Sequence, residues 1–181
     1  MVEIRTLINM YELGLIKKED NEIMSSRFFI NGDYSMELER IPSVAPTTEY
    51  ITYTCIIRFL NSINIPVLEL RFPSEDMYSF MDSVDGFTEF GMDSISIPIR
   101  VFNTSGKLTH LYLSRNYPST PNENDKIRFE VREYNPMYGG VFSTRLGIDM
   151  DEEIFLNEFI QAIYFTFLID IDERNMRGDY Y

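Results

Sequence analysis

A chain of 181 residues, 44% apolar and 14% aromatic, has enough apolar side chain to bury a core as one domain, which excludes a mostly disordered polymer. Its single cysteine excludes an internal disulfide, and Cys55 reads as a small buried hydrophobe. The net charge of −13 argues against direct binding of nucleic acid or an anionic membrane and leaves a basic protein as a conceivable partner.

The charge is uneven. Residues 73–93 hold six acids and no base, and residues 146–181 hold nine acids against two bases. Residues 94–145 reverse the sign, with seven bases against four acids. Met1–Gly14 carries Glu3, Arg5 and Glu12 and no small-residue cleavage site, so no signal peptide is expected. The most apolar run, Ile154–Ile169, is broken by polar residues and falls short of the ~20 residues that a bilayer needs. These features predict a soluble protein, cytoplasmic or built into a particle.

Four segments are expected: a helical one over 1–24, a β-rich core over 25–148, a helix over 149–172 and a polar tail over 173–181. In the first, Ile4, Leu7, Ile8 and Tyr11 recur at helical spacing over 2–13, and Gly14 stands where a left-handed cap belongs. Arg27–Ile41 then alternates apolar and polar residues about Asn31-Gly32, the pair preferred in a two-residue type I′ turn.

The clearest core signal is Glu49–Phe72. Ile51, Tyr53, Cys55, Ile57 and Phe59 share one face, and after Asn61–Asn64 the chain returns through Leu68, Leu70 and Phe72. Pro73-Ser74-Glu75-Asp76 reads as a helix start capped by Ser74, with Met77, Phe80, Met81 and Val84 inward. Asp85-Gly86 is the expected stop, giving a short helix over 75–84.

Ser94–Phe102 alternates with Ile95, Ile97, Ile99 and Val101 on one side. Pro98 cannot donate a ladder hydrogen bond, so this is an edge strand or carries a bulge. Lys107–Ser114 and Lys126–Tyr134 follow as strands, the second alternating Ile127, Phe129 and Val131 with Arg128, Glu130 and Arg132. Arg115–Asp125 between them reads as a projecting polar loop. A short strand over Val141–Leu146 precedes the C-terminal helix, Asp151–Ile169, apolar around most of its circumference. Asp149, Asp151, Glu152 and Glu153 suit its N-terminus, whereas Asp170, Asp172 and Glu173 oppose the dipole at its other end.

Catalytic constellations are scarce. One histidine, His110, and one cysteine cannot build a tetrahedral zinc site, no serine elbow or glycine-rich phosphate loop occurs, and no cofactor is expected. The acids at 149–153 lack the mid-loop glycine and distal glutamate of a calcium loop. Arg115, Lys126, Arg128, Arg132 and Arg145 form the one positive region.

The sequence therefore predicts an α+β fold: about eight mostly antiparallel strands in a sandwich or half-barrel, with an N-terminal, a middle and a C-terminal helix. The leading functional expectation is a non-catalytic assembly subunit that pairs with copies of itself or with other subunits, by analogy a bacteriophage virion or tail component. Its contacts are expected at the edge strand (Ile97, Pro98, Ile99), at Phe165 and at the acids 149, 151, 152, 153, 170, 172 and 173. An acidic inhibitor or immunity-type protein that docks a basic toxin or nucleic-acid enzyme is the alternative, and a small carboxylate-based enzyme is the third reading.

Overall fold

The computed structural model describes residues 2–14, 24–43, 52–102, 108–116, 125–134, 140 and 142–167. The fold is α+β, built of two largely antiparallel sheets and three helices. Sheet A runs β1 (Val2–Glu3), β2 (Met24–Phe29), β3 (Tyr34–Ser43), β4 (Thr52–Asn61) and β5 (Pro66–Pro73) in spatial order, and the two-residue β1 alone is parallel to its neighbour. Sheet B runs β6 (Ser94–Ile99), β7 (Leu108–Asn116), β8 (Lys126–Tyr134) and β9 (Phe142–Asp151). Helix α1 is Ile4–Glu12 and α2 is Asp76–Glu89. Helix α3 spans 152–167 and contains a π-helical segment, Phe155–Phe159.

Period-two patterning sends one apolar set of each sheet inward. Phe28, Met36, Leu38, Cys55, Ile57, Phe59, Leu70 and Phe72 line sheet A, and Ile95, Ile97, Ile99, Leu111, Leu113, Ile127, Phe129, Val131, Ile148 and Met150 line sheet B. The sheets meet directly where Phe59 stacks on Phe129, 5.7 Å between ring centroids. Helix α3 fills the rest. Phe159 lies edge-on to Phe28 and Phe80 and 5.3 Å from Phe129, so one ring touches both sheets and α2. Phe155 stacks on Phe159, and Ser26 and Thr166 share a buried 2.7 Å hydrogen bond that fastens α3 to β2.

Burial of Phe155, Phe159, Ala162, Ile163, Phe165 and Phe167 covers α3 with the chain's own sheets and α2. The helix is not apolar all round: Glu153 and Asn157 are exposed on it. It also begins later than expected, because β9 continues through Gly147, Ile148, Asp149 and Met150 to Asp151 in register with β8.

The helix expected over 2–13 gives up its first two residues to β1, because Val2 and Glu3 pair with Ser26 and Arg27 of β2. Three further local expectations are corrected. Neither Asn31 nor Gly32 has positive φ. The Asn31 carboxamide instead accepts the Asp33 and Tyr34 N–H groups and donates to the Asp149 carbonyl at 2.9 Å, organising a longer connection. Ser74 does not cap α2; Glu75 occupies that position and makes no side-chain cap bond. Asp85-Gly86 does not stop α2, because Phe87, fully buried and edge-on to Phe155, carries the helix another turn. It ends before Gly91, which has φ +61°.

Arg115 locks this arrangement. Its guanidinium sits over the Phe87 ring, donates to the Phe87 carbonyl at 3.1 Å and pairs with Glu152, tying β7 to the end of α2 and the start of α3. At the other end of α2, Asp76 takes three hydrogen bonds from Arg100, one from the backbone N–H at 2.6 Å and two from the guanidinium.

Candidate functional site

The inward residues of sheet B fix what its other face must carry. Strand pairing sets the outward residues in five cross-strand rows: Asn116–Lys126–Asp151; Ser94–Ser114–Arg128–Asp149; Ser96–Tyr112–Glu130–Gly147; Pro98–His110–Arg132–Thr144; and Leu108–Tyr134–Phe142. No helix of the described chain covers this face, yet its centre is not a loose solvated surface.

Glu130 is its hub, a carboxylate only 7% exposed on the outside of a sheet. It accepts from Arg132 Nη2 at 2.7 Å and from the Thr144 hydroxyl at 3.4 Å, and pairs with Arg128 Nε at 3.5 Å. The Arg132 guanidinium is stacked 3.6 Å from the Tyr112 ring centroid, and its buried Nε meets no hydrogen-bond acceptor. Arg128 also reaches Asp149 at 3.3 Å. It lies across the strand at Gly147, where an added Cβ would overlap its guanidinium, so the glycine is what lets Arg128 lie flat.

Beside this polar centre is an aromatic corner. Phe142 packs edge-on to His110 at 5.0 Å and against Tyr134 at 5.1 Å, with Leu108 opposite Tyr134. Leu108 and Phe142 remain 52% and 46% exposed. The Ser96 hydroxyl and His110 Nδ1 lie 3.3 Å apart, and partial burial lowers the His110 pKa below its ordinary value, favouring the neutral ring.

The face therefore combines mutually packed arginine, tyrosine, phenylalanine and histidine side chains with little net charge. Lys126, Arg128 and Arg132 balance Glu130, Asp149 and Asp151. What the sequence presents as a positive region is neutralised in three dimensions, because Lys126, Arg128, Arg132 and Arg145 each pair with an acid on β8 or β9 and Arg115 pairs with Glu152. Such composition suits a protein contact, where aromatic and arginine side chains dominate binding.

The residues singled out from sequence are dispersed. Asp149 lies on β9, at the charged end of this face, and Asp151 both ends β9 and occupies the N-cap position of α3, where it makes no side-chain cap bond. Glu152 is held by Arg115, and Glu153 is exposed in the first turn of α3. Ile97, Ile99 and Phe165 are buried core residues, 5%, 5% and 9% exposed, so their side chains offer no outward contact. Pro98 is on the outward face opposite His110, and β6 is an edge of sheet B as its proline implies. Asp170, Asp172 and Glu173 lie outside the described residues. Glu130, Tyr112 and Phe142 are not among the residues to which the sequence points, and Arg132 enters there only as part of a positive region. Alternation in KIRFEVREY placed Glu130 and Arg132 outward, but only strand pairing brings Tyr112 and Phe142 beside them.

Among the described residues no three His, Cys, Asp or Glu side chains are grouped to hold a metal ion, and no helix is long and apolar enough to cross a membrane. Comparison with family models, curated proteins and solved structures gives no match for the chain.

Proposed function

We propose that this chain is a non-catalytic protein–protein interaction subunit, of the kind that assembles into larger particles such as virions or tails of bacteriophages, and that the outer face of sheet B is its contact surface. The observation that carries this reading is the Glu130 cluster. A nearly buried carboxylate with two arginines, one of them stacked on Tyr112, sits beside an exposed aromatic corner on a sheet face that none of the described helices covers. Ordering those long side chains costs conformational entropy, and a prearranged arginine–aromatic face binds with that cost already met.

The test is affinity capture in the source cell with the tagged chain as bait, an untagged copy being coexpressed. A partner, including the untagged copy, that is retained by wild type and lost by Arg132→Ser and by Phe142→Ser supports the reading. Equal recovery by all three baits sinks it.

A second reading, an acidic inhibitor that docks a basic protein, is favoured by α2. Asp82, Asp85 and Glu89 lie at helical spacing on it with no cationic partner among the described residues. Burial, followed by the charges of Glu89 and Asp82, raises the Asp85 pKa. Acids near a helix C-terminus also oppose the dipole. Changing the three to amides should slow association with a basic partner and flatten its salt dependence; unchanged kinetics at low salt would remove this reading.

A further inference from the structure

Resting on the proposal that the outer face of sheet B is a contact surface, we infer that its occupant is a second copy of this chain, packed face to face about a two-fold axis beside Phe142. Three observations lead there.

The first is charge. Two copies of a −13 chain repel one another, so they approach most easily where the local charge cancels. The face balances three cations against three anions, already paired within one copy. A separate basic partner would gain nothing here that α2 does not offer better.

The second is the state of the sheet edges, the other route to self-association. The β6 edge has Pro98. The β9 edge has a register shift opposite Val131 and Arg132, and its Asp149 carbonyl is taken by Asn31. The β5 edge is bounded by Pro66 and Pro73, and its Arg71 carbonyl accepts the Phe102 N–H at 2.8 Å. The β1 edge is only two residues long. Guarded edges direct pairing to the face.

The third is shape. The exposed apolar side chains of the face gather in the row Leu108–Tyr134–Phe142 at one end. A two-fold axis beside that row lays the corner on its own copy, burying both rings of residue 142. The polar row Pro98–His110–Arg132–Thr144, its one cation already paired with Glu130, then forms the rim.

Cysteine supplies a clean probe, because Cys55, the one native thiol, is fully buried and its pKa is raised by burial. Phe142→Cys and, as a collisional control on the outer face of sheet A, Phe29→Cys are each treated with a short thiol cross-linker. Weight-average mass is measured by light scattering for wild type and for Phe142→Glu, with circular dichroism to confirm that each variant is folded. The inference expects a wild-type dimer, dimerisation weaker by about thirtyfold in Phe142→Glu, and far faster cross-linking at position 142 than at 29. A wild type that stays monomeric across the concentration series overturns self-pairing. So does a dimer that survives Phe142→Glu, or equal cross-linking at the two positions. The contact-surface reading itself falls on a different result, the retention of every partner by Arg132→Ser and Phe142→Ser baits.

Discussion

The outer faces of the two sheets are built by one rule and end differently. On sheet A, Arg58 pairs with Glu39 and Glu69, Arg71 with Glu69, and Arg27 with Glu3, a lattice of partly exposed ions on which, among the described residues, no aromatic ring is stacked. Hydrogen bonds from Arg71 and Arg58 hold the Glu69 carboxyl below its ordinary range despite partial burial. On sheet B the carboxylate at the centre is nearly buried, and one of its arginines lies on a tyrosine ring. A wet lattice of ion pairs keeps a sheet face in water at little net gain in stability. A desolvated pair flanked by aromatic rings is costly to break and ready to be covered. Alternation alone cannot distinguish the two.

Removing what both faces share gives the largest effect. Phe159→Ala empties the contact between sheets A and B, α2 and α3, and should cost about 3–5 kcal/mol in denaturant unfolding. Next come the matched carboxylates. Glu130→Ala strands Arg132, leaves Arg128 its contact with Asp149, and should cost about 2–3 kcal/mol, whereas Glu69→Ala on the exposed lattice should cost below about 1 kcal/mol. Equal losses would erase the distinction between the faces.

The pH dependence sharpens it further. The folded chain holds the His110 pKa below its ordinary value of 6.5, so the unfolded chain takes up that proton first as pH falls. The contribution of His110 is complete above pH 6.5 and is lost progressively as pH drops through the lower folded value. His110→Asn should flatten the unfolding free energy in that window, while the same measurement on Arg58→Gln should leave it unchanged. The smallest effect belongs to Gly147→Ala. Its methyl displaces the flexible end of Arg128 and weakens the exposed contact with Asp149, for a loss below about 1 kcal/mol by thermal unfolding.

Much of this architecture is legible in the chain. The alternation in Thr52–Asn61, Ser94–Ile99 and Lys126–Tyr134 places inward and outward residues correctly, and Pro98 marks an edge. The failures have physical causes. Gly86 reads as a stop, but burying Phe87 against Phe155 outweighs the propensity of one glycine. Asn31-Gly32 reads as a tight turn, but the Asn31 side chain bridges to β9, far away in sequence. The acids at 149–153 read as a helix start, which Asp151, Glu152 and Glu153 form, while ladder pairing with Arg128 keeps Asp149 in a strand. The proposed contact face is the least legible part. Tyr112, Glu130, Arg132 and Phe142 come from three strands, and sequence separation hides their proximity until the register is known.

The most direct measurement is weight-average mass in solution for Phe29→Glu and Phe142→Glu beside wild type. Each variant puts a carboxylate in place of an exposed phenylalanine, one on each outer face. The predicted result is a dimer for wild type and Phe29→Glu and a monomer for Phe142→Glu at the same concentration. Identical masses for the two variants would contradict the assignment of sheet B as the face where copies of this chain meet.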